Sequence, residues 1–491
     1  MKLHLIFVPI INDNKLTMLE LGAGTNPPMG LLCLASYVKQ RIKGIEVKVT
    51  DGLIDGYAPT LKEVISFNPD LVGISFLTPL ALSAYLLINE LKNIKPGLLI
   101  VAGGPHATAL PQEVLEKSMA DCVVMGEGEQ TLSELIEAFR GVKDVNSVKF
   151  ENIDGLAYKR QDRVMVNRPR QFIQDLDTMP VPDRDLVKVT SYKGWYICKN
   201  HPEAVMIFSR GCPYWCTFCS NAVWKSSKPA LRLRSPKNIV DEMELLVTKY
   251  NIREIFDHSD EFNSDVNWAL AVCAEIRKRK LNLSWKTQLR ASNVPEALVR
   301  AMAESGCWYV HLGFESGNQE TLNGIRKHIN LEEAVNIASL LKKYGIYVYG
   351  LFMLFNVWEK EDNLCFEDIK MSENTLNFIR KLVNQRLVDY FSLSIATPYP
   401  GSRLYDIALK YGLIKDGLRN NWSAWVTDES FVMQLPGMSL KEQAWVQTKG
   451  SILRIRCMLK SGKINKRDLP FILKKGSRLI VDQIKGLALF R

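Results

Sequence analysis

Over the first 140 residues, short apolar runs alternate with longer stretches in which apolar residues recur every three or four positions. Such alternation predicts parallel strands covered by helices. The runs fall at Lys2–Pro9, Glu46–Thr50, Leu71–Phe76, Leu98–Ala102 and Cys122–Met125. Helical periodicity lies between them, at Gly30–Ile42, Thr60–Ser66, Leu80–Ile94, Pro111–Lys117 and Gln130–Phe139. The pattern predicts an α/β domain over residues 1–140, a five-stranded, doubly wound, Rossmann-like sheet. Ligands of such a sheet lie beyond the carboxyl ends of its strands.

Residues 141–203 are less regular and read as a linker. Within it, Ile153–Val166 predicts a small hairpin, and Met179-Pro180-Val181-Pro182-Asp183 a stiff, extended connector. A second series of strands follows, at Ala204–Phe208, Glu254–Phe256, Leu283–Thr287, Tyr309–Leu312, Tyr347–Met353 and Asp389–Ser394. Six parallel strands with helices between them predict a partial (β/α)6 barrel over 204–404. The alternation fades after Leu404 into a mainly helical C-terminal region, 405–491.

With 47% hydrophobic and 24% charged residues, 491 residues can bury two or three cores. No apolar stretch reaches the roughly 18 residues a membrane-spanning helix needs, and the start has no cleavage-site pattern, so a cytoplasmic protein is expected. The net charge of +10 suggests nucleic acid until it is mapped: Ser451–Arg491 holds eleven Lys or Arg against Asp468 and Asp482. Nearly all the excess sits in that tail, so no nucleic-acid partner is expected. The interleaved Leu, Ile and Phe allow peripheral contact with the anionic inner membrane face, or simply a solvated helical face.

Of ten cysteines, Cys212, Cys216 and Cys219 alone cluster, on a loop directly after the first barrel strand. Three thiolates on one tight loop can each hold one iron of a cubane and leave the fourth iron open to chelate a small molecule. Zinc is the alternative, but a structural zinc site wants a fourth Cys or His, and the loop has no His.

The spacing Cys-x3-Cys-x2-Cys, with Phe218 just before the last cysteine, resembles the signature of the radical S-adenosylmethionine (SAM) superfamily. Further elements resemble that family's SAM-binding positions: Asp260-Glu261-Phe262 after the second strand, Gln288-Leu289-Arg290 after the third, Gly313-Phe314-Glu315-Ser316-Gly317 after the fourth, and Ala396–Ser402 after the sixth. The resemblance implies a [4Fe-4S] cluster on the three cysteines and SAM contacts from Phe218, Asp260, Glu261, Arg290 and Glu315. One departure is visible. Where the family has a Gly-Pro-Gly-Glu-like turn, this chain reads Leu354-Phe355-Asn356-Val357-Trp358-Glu359, which makes Trp358 a candidate to pack on the adenine.

The front domain is similar to the cobalamin-binding domain of the B12-dependent radical SAM branch, which includes methyltransferases and the anaerobic magnesium-protoporphyrin ester cyclase. Ser75-Phe76-Leu77 resembles its Ser-x-Leu element, and Gly103-Gly104 would leave room for the nucleotide tail of base-off cobalamin. Gly126-Glu127-Gly128-Glu129 follows the fifth strand, so Ser75, Leu77, Gly103, Gly104, His106 and Glu127 become candidate cobalamin contacts. His106 is expected to bond corrin side chains or a loop backbone. The Asp-x-His-x-x-Gly element is absent and Ile10–Met29 holds no histidine, so no histidine of that loop is expected below the cobalt. His258 and His311 read as structural.

The resemblance implies a C-methyltransferase acting on an unactivated carbon through a 5'-deoxyadenosyl radical and methylcobalamin. Its substrate would be a small molecule, peptide or lipid, and its electron donor a flavodoxin or ferredoxin. A cobalamin-dependent cyclase or rearrangement enzyme is the alternative. A methylthiotransferase would carry a second cysteine triad in front, where this chain has Cys33 and Cys122 alone. A non-enzymatic iron-sulfur or zinc protein would bind neither SAM nor cobalamin.

Overall fold

The computed structural model describes residues 1–11, 26–142, 147–161, 163–192, 194, 197–220, 227–426 and 431–460. Its first sheet contains β1 (Lys2–Phe7), β2 (Glu46–Asp51), β3 (Leu71–Ser75), β4 (Leu99–Gly103) and β5 (Cys122–Val124), parallel and ordered 2-1-3-4-5. Parallel strands buried on both faces read as continuous apolar runs, which is why periodicity found them. Helices Met29–Arg41 and Gly128–Phe139 cover one face, and Tyr57–Phe67, Ala81–Ile94 and Pro111–Lys117 the other.

The sheet does not stop at five strands. Leu156–Arg160 (β6) and Arg163–Val166 (β7), from the segment expected as a linker, add an antiparallel hairpin and make it seven-stranded. The edge of β5 would otherwise expose unpaired backbone groups, and pairing with β6 satisfies them.

The second sheet is a half-barrel of six parallel strands in sequential order: β8 (Glu203–Met206), β11 (Glu254–Asp257), β12 (Ser284–Arg290), β13 (Cys307–Glu315), β14 (Tyr347–Leu354) and β17 (Tyr390–Ile395). Two short antiparallel ribbons, β9 (Ser209–Arg210) with β10 (Arg232–Leu233) and β15 (Val357–Lys360) with β16 (Asn363–Phe366), sit at its upper rim. Val310, Leu312 and Phe314 belong to the large core, while Tyr309, Tyr347, Tyr349 and Tyr390 form a separate aromatic cluster. Lower in the barrel, Lys286 is fully buried and pairs with Glu203 and Glu254.

Among its described residues the C-terminal region is mainly helical, as expected. After helix Arg403–Lys410 the chain makes an antiparallel bridge, Ile414 to Met433, around a 3-10 turn at Trp422–Ala424, and the described residues close with helix Leu440–Lys460. Trp422, Trp425 and Val432 enter the core of the first domain, and Trp422 Nε1 donates to Glu113 Oε1 at 2.6 Å. Most of the basic tail, residues 461–491, lies outside the described residues. Among the described residues no helix is long and apolar enough to cross a membrane.

Burial keeps four histidines neutral: His4 and His258 are lowered to about 4, and His106 and His311 to about 3. An unfolded chain takes up protons at these residues below its ordinary value of about 6.5, whereas the folded chain does not until near 3 to 4. Stability should therefore fall as pH drops through that window, by about 1.4 kcal/mol per histidine per pH unit. Asp51, pushed up to about 6 by burial, works the other way and offsets roughly one of the four. The urea midpoint at pH 5.5 should lie below that at pH 7.5, and the slope should flatten in His106→Gln. A midpoint independent of pH would contradict the neutral histidines.

Candidate functional site

The cysteine loop leaves the half-barrel immediately after β9. Gly211 turns the chain with a φ of +83°, and a Cβ there would lie 1.8 Å from the Ala230 carbonyl oxygen, so glycine is required. The loop is tied down at Thr217, whose N–H donates to Ile325 O at 2.9 Å and whose carbonyl accepts from Leu404 N at 2.8 Å. Cys212, Cys216 and Cys219 remain half-buried. Burial, with Glu261, Asp260 and Cys216 adding to it, pushes the Cys212 thiol up to about 12, so a metal must displace a proton there. Among the described residues the one trio of His, Cys or carboxylate ligand atoms within 4.8 Å of one another is Cys198, Glu203 and Glu254. Lys286 already occupies those carboxylates.

Around the loop, side chains from successive strand ends converge. Glu261 Oε2 lies 3.8 Å from Cys212 Sγ, and its Oε1 is buried without a hydrogen-bond partner. Arg290, at the end of β12, stacks its guanidinium 3.7 Å from the centroid of Tyr214 and points Nη1 at Cys216 Sγ, 3.9 Å away. Its backbone N–H donates to Asn263 Oδ1 at 2.9 Å and its Nε to Ser292 Oγ at 3.0 Å, while Nη2 is buried and unpaired. An orphaned carboxylate oxygen and an orphaned guanidinium nitrogen beside one cysteine loop fit a ligand that carries both an amine and a carboxylate. Glu315, at the end of β13, is already paired with Lys327, at 2.8 Å.

A cavity of about 440 Å³ runs between the two domains, from the ends of β3, β4 and β5 to the base of the cysteine loop. Ser75, Gly103, Gly104, Gly126 and Glu127 line it on one side, Arg210, Gly211, His258 and Asp260 on the other. Gly104 has a φ of +90°, and a Cβ there would lie 2.7 Å from Ser75 Oγ and 2.9 Å from the Phe76 carbonyl oxygen. Glu127 bridges the domains: Arg232 donates to its two oxygens at 2.6 and 2.8 Å, and Arg210 approaches within 3.5 Å. Burial alone would raise this carboxyl, but the two arginines hold it below the usual carboxylate range.

Several expected contacts are elsewhere. His106 is fully buried away from the cavity, bonded to Tyr85 Oη and Thr78 Oγ1 at 3.2 Å each and packed 5.0 Å from Trp422. Leu77 opens the 3-10 turn Thr78–Leu80 and does not line the cavity. Phe218 faces Lys327, 6.0 Å from its ring centroid. Trp358 is buried against Gly324 and closed to a ligand. In place of the expected acidic turn, Glu367 returns from β16 to accept from Ser316 Oγ at 2.6 Å and Asn356 Nδ2 at 2.9 Å, tying the ends of β13 and β14 together. Residues 12–25 of the loop after β1 lie outside the described residues. Arg210, Arg232, Lys327 and Glu367 escaped sequence reasoning because each is an isolated charge with a distant partner. His258 was read as structural, yet it lines the cavity.

The geometry has counterparts among known proteins. The B12 binding domain model matches residues 18–136 and the radical SAM superfamily model residues 206–365. Over 461 residues, 92% of this chain and 94% of the relative, the sequence is 31% identical to an uncharacterized methyltransferase of Pyrococcus horikoshii. It is 29% identical over 392 residues to the anaerobic magnesium-protoporphyrin IX monomethyl ester cyclase of Rubrivivax gelatinosus, 78% of this chain and 66% of that protein. The fold matches the cobalamin-dependent SAM radical enzyme OxsB, solved with aqua-cobalamin bound, at a TM-score of 0.72 and 17% identity over 98% of this chain and 72% of that one. The chain belongs to the B12-binding-domain-containing radical SAM family. It is an enzyme of that cobalamin-dependent class, and its relatives include both methyltransferases and cyclases.

Proposed function

We propose that this enzyme is a C-methyltransferase acting on an unactivated carbon of a small-molecule, peptide or lipid substrate. The observation that carries the reading is the position of the cavity, which joins the glycine-edged strand ends of the first domain to Asp260 and the cysteine loop of the second. In this reading Cys212, Cys216 and Cys219 hold a [4Fe-4S] cluster, fed by a flavodoxin or ferredoxin. Glu261 Oε1 and Arg290 Nη2, unpaired and buried, receive the amine and carboxylate of SAM. Ser75, Gly103 and Gly104, which edge the cavity, would make room for the nucleotide tail of cobalamin. Glu127 acts through Arg232 and Arg210, holding the two cofactor-bearing domains in register and closing the cavity to water. When bound, the cluster and SAM supply radical chemistry and cobalamin supplies the methyl group; the protein fixes distances and excludes oxygen.

Methyl transfer is favoured over cyclisation by the relative that matches nearly the whole chain, a methyltransferase by name. The two differ in their use of SAM. Reconstituted anaerobically with cobalamin, SAM and a low-potential reductant, the enzyme should release S-adenosylhomocysteine alongside 5'-deoxyadenosine. Release of 5'-deoxyadenosine without S-adenosylhomocysteine would favour the cyclase reading instead.

A further inference from the structure

We propose that Lys327 and Arg290 form a cationic flank on Cys216 that raises the reduction potential of the iron-sulfur cluster, with Lys327 as its tuning residue. The proposal rests on the reading that the three cysteines hold a [4Fe-4S] cluster.

Charge is shared unevenly around the loop. Cys212 faces a carboxyl group: Glu261 Oε2 is 3.8 Å from its sulfur. Cations lie toward Cys216: Arg290 Nη1 is 3.9 Å from its sulfur, and Lys327 Nζ stands over the ring of Phe218, between Cys216 and Cys219 in the chain.

The chain is built to keep Lys327 in that place. Its side chain is 12% exposed, bonds Glu315 Oε1 at 2.8 Å and stands 6.0 Å from the centroid of Phe218, the residue before Cys219. A Cβ on residue 313 would lie 2.8 Å from Glu315 Oε1 and 2.9 Å from Lys327 Nζ, so Gly313 leaves the pair its space. Glu315 takes a φ of +64°, in the left-handed region that costs a residue with a side chain energy. Buried ion pairs are weak stabilisers, because desolvation consumes most of their attraction. Strain and burial spent on such a pair point to what its cation does to its neighbour.

Reduction of the cluster takes one electron from an external flavodoxin- or ferredoxin-class donor and no proton, so the cluster gains one negative charge. A fixed cation beside a ligand sulfur stabilises that more negative state more than the oxidised one. A fixed anion does the reverse. Removing Lys327 should lower the midpoint potential and removing the Glu315 charge should raise it. What Lys327→Met removes is the cation beside Phe218 on the cysteine loop.

The test is an EPR-monitored redox titration of the anaerobically reconstituted holoprotein. Iron content and Mössbauer spectra of the wild type come first, and a wild type without a cubane would overturn the cluster reading itself. With the cubane present, Lys327→Met should shift the midpoint negative, Glu315→Gln should shift it positive, and Lys327→Arg, which keeps the charge, should hold it. Arg290→Gln touches neither member of the ion pair and should also shift it negative, so the sign test survives a Lys327→Met protein that fails to load. A purely structural pair would move Lys327→Met and Glu315→Gln in the same direction. Shifts of like sign in those two variants, or unchanged midpoints in Lys327→Met and Arg290→Gln, would overturn the proposal.

Discussion

Replacing Cys212, Cys216 or Cys219 by alanine should abolish reductive SAM cleavage and leave a protein that folds but does not retain a four-iron cluster. The loss should be complete because each thiolate is the sole protein ligand available to its own iron, and the loop offers no His or further Cys to substitute. Folding should survive because the loop is anchored by backbone bonds at Thr217 and by Gly211, neither of which needs the metal. Iron and sulfide analysis, the visible charge-transfer absorbance and 5'-deoxyadenosine formation check the first claim, and far-UV circular dichroism the second. Stoichiometric zinc in the wild type after anaerobic iron reconstitution would refute the assignment.

Lys286→Met should destabilise the protein by about 3 to 5 kcal/mol, the range for removing one partner of a buried ion pair. Lys286, Glu203 and Glu254 are all fully buried on adjacent strands β12, β8 and β11. The ammonium bonds Glu203 Oε2 and the Ile197 carbonyl, at 3.0 Å for the latter. It lies 3.0 Å from Glu254 Oε1, too obliquely for a hydrogen bond. Methionine keeps the stem but leaves two carboxylates facing each other without a cation. Unpaired buried carboxylates escape by taking up protons, so the gap from wild type should narrow toward pH 5. The triple variant Lys286→Met, Glu203→Gln, Glu254→Gln should recover most of the loss. Urea unfolding of the three proteins at pH 7.5 and 5.5 measures this; a single variant within 1 kcal/mol of wild type would show that the triad is solvated.

The cysteine loop and the parallel strands of both sheets were legible in the sequence for local reasons. A cysteine triad is defined by spacing along a few residues, and parallel strands buried on both faces write their burial directly into continuous apolar runs. The same logic explains the failures. The hairpin β6–β7 was visible as a hairpin, but nothing in its own residues says that it docks on β5. His106 and Trp358 were read as ligand contacts because of their neighbours in sequence, yet an aromatic ring serves a core as readily as a cofactor. Trp422 of the C-terminal region and Glu113 of the first domain settle the matter for His106, by closing a core around it.

The sequence by itself determined the class of chemistry, since the cysteine spacing and the carboxyl-end residues of each strand are short-range features. What the tertiary structure alone decided is the charge around that chemistry: the Arg232 and Arg210 clasp on Glu127, the carboxyl group at Cys212, the cations toward Cys216 and the buried Lys286 triad. A lone Lys or Arg carries no periodicity, and its effect depends on distance and desolvation. Both exist only once strands far apart in the chain have been brought side by side.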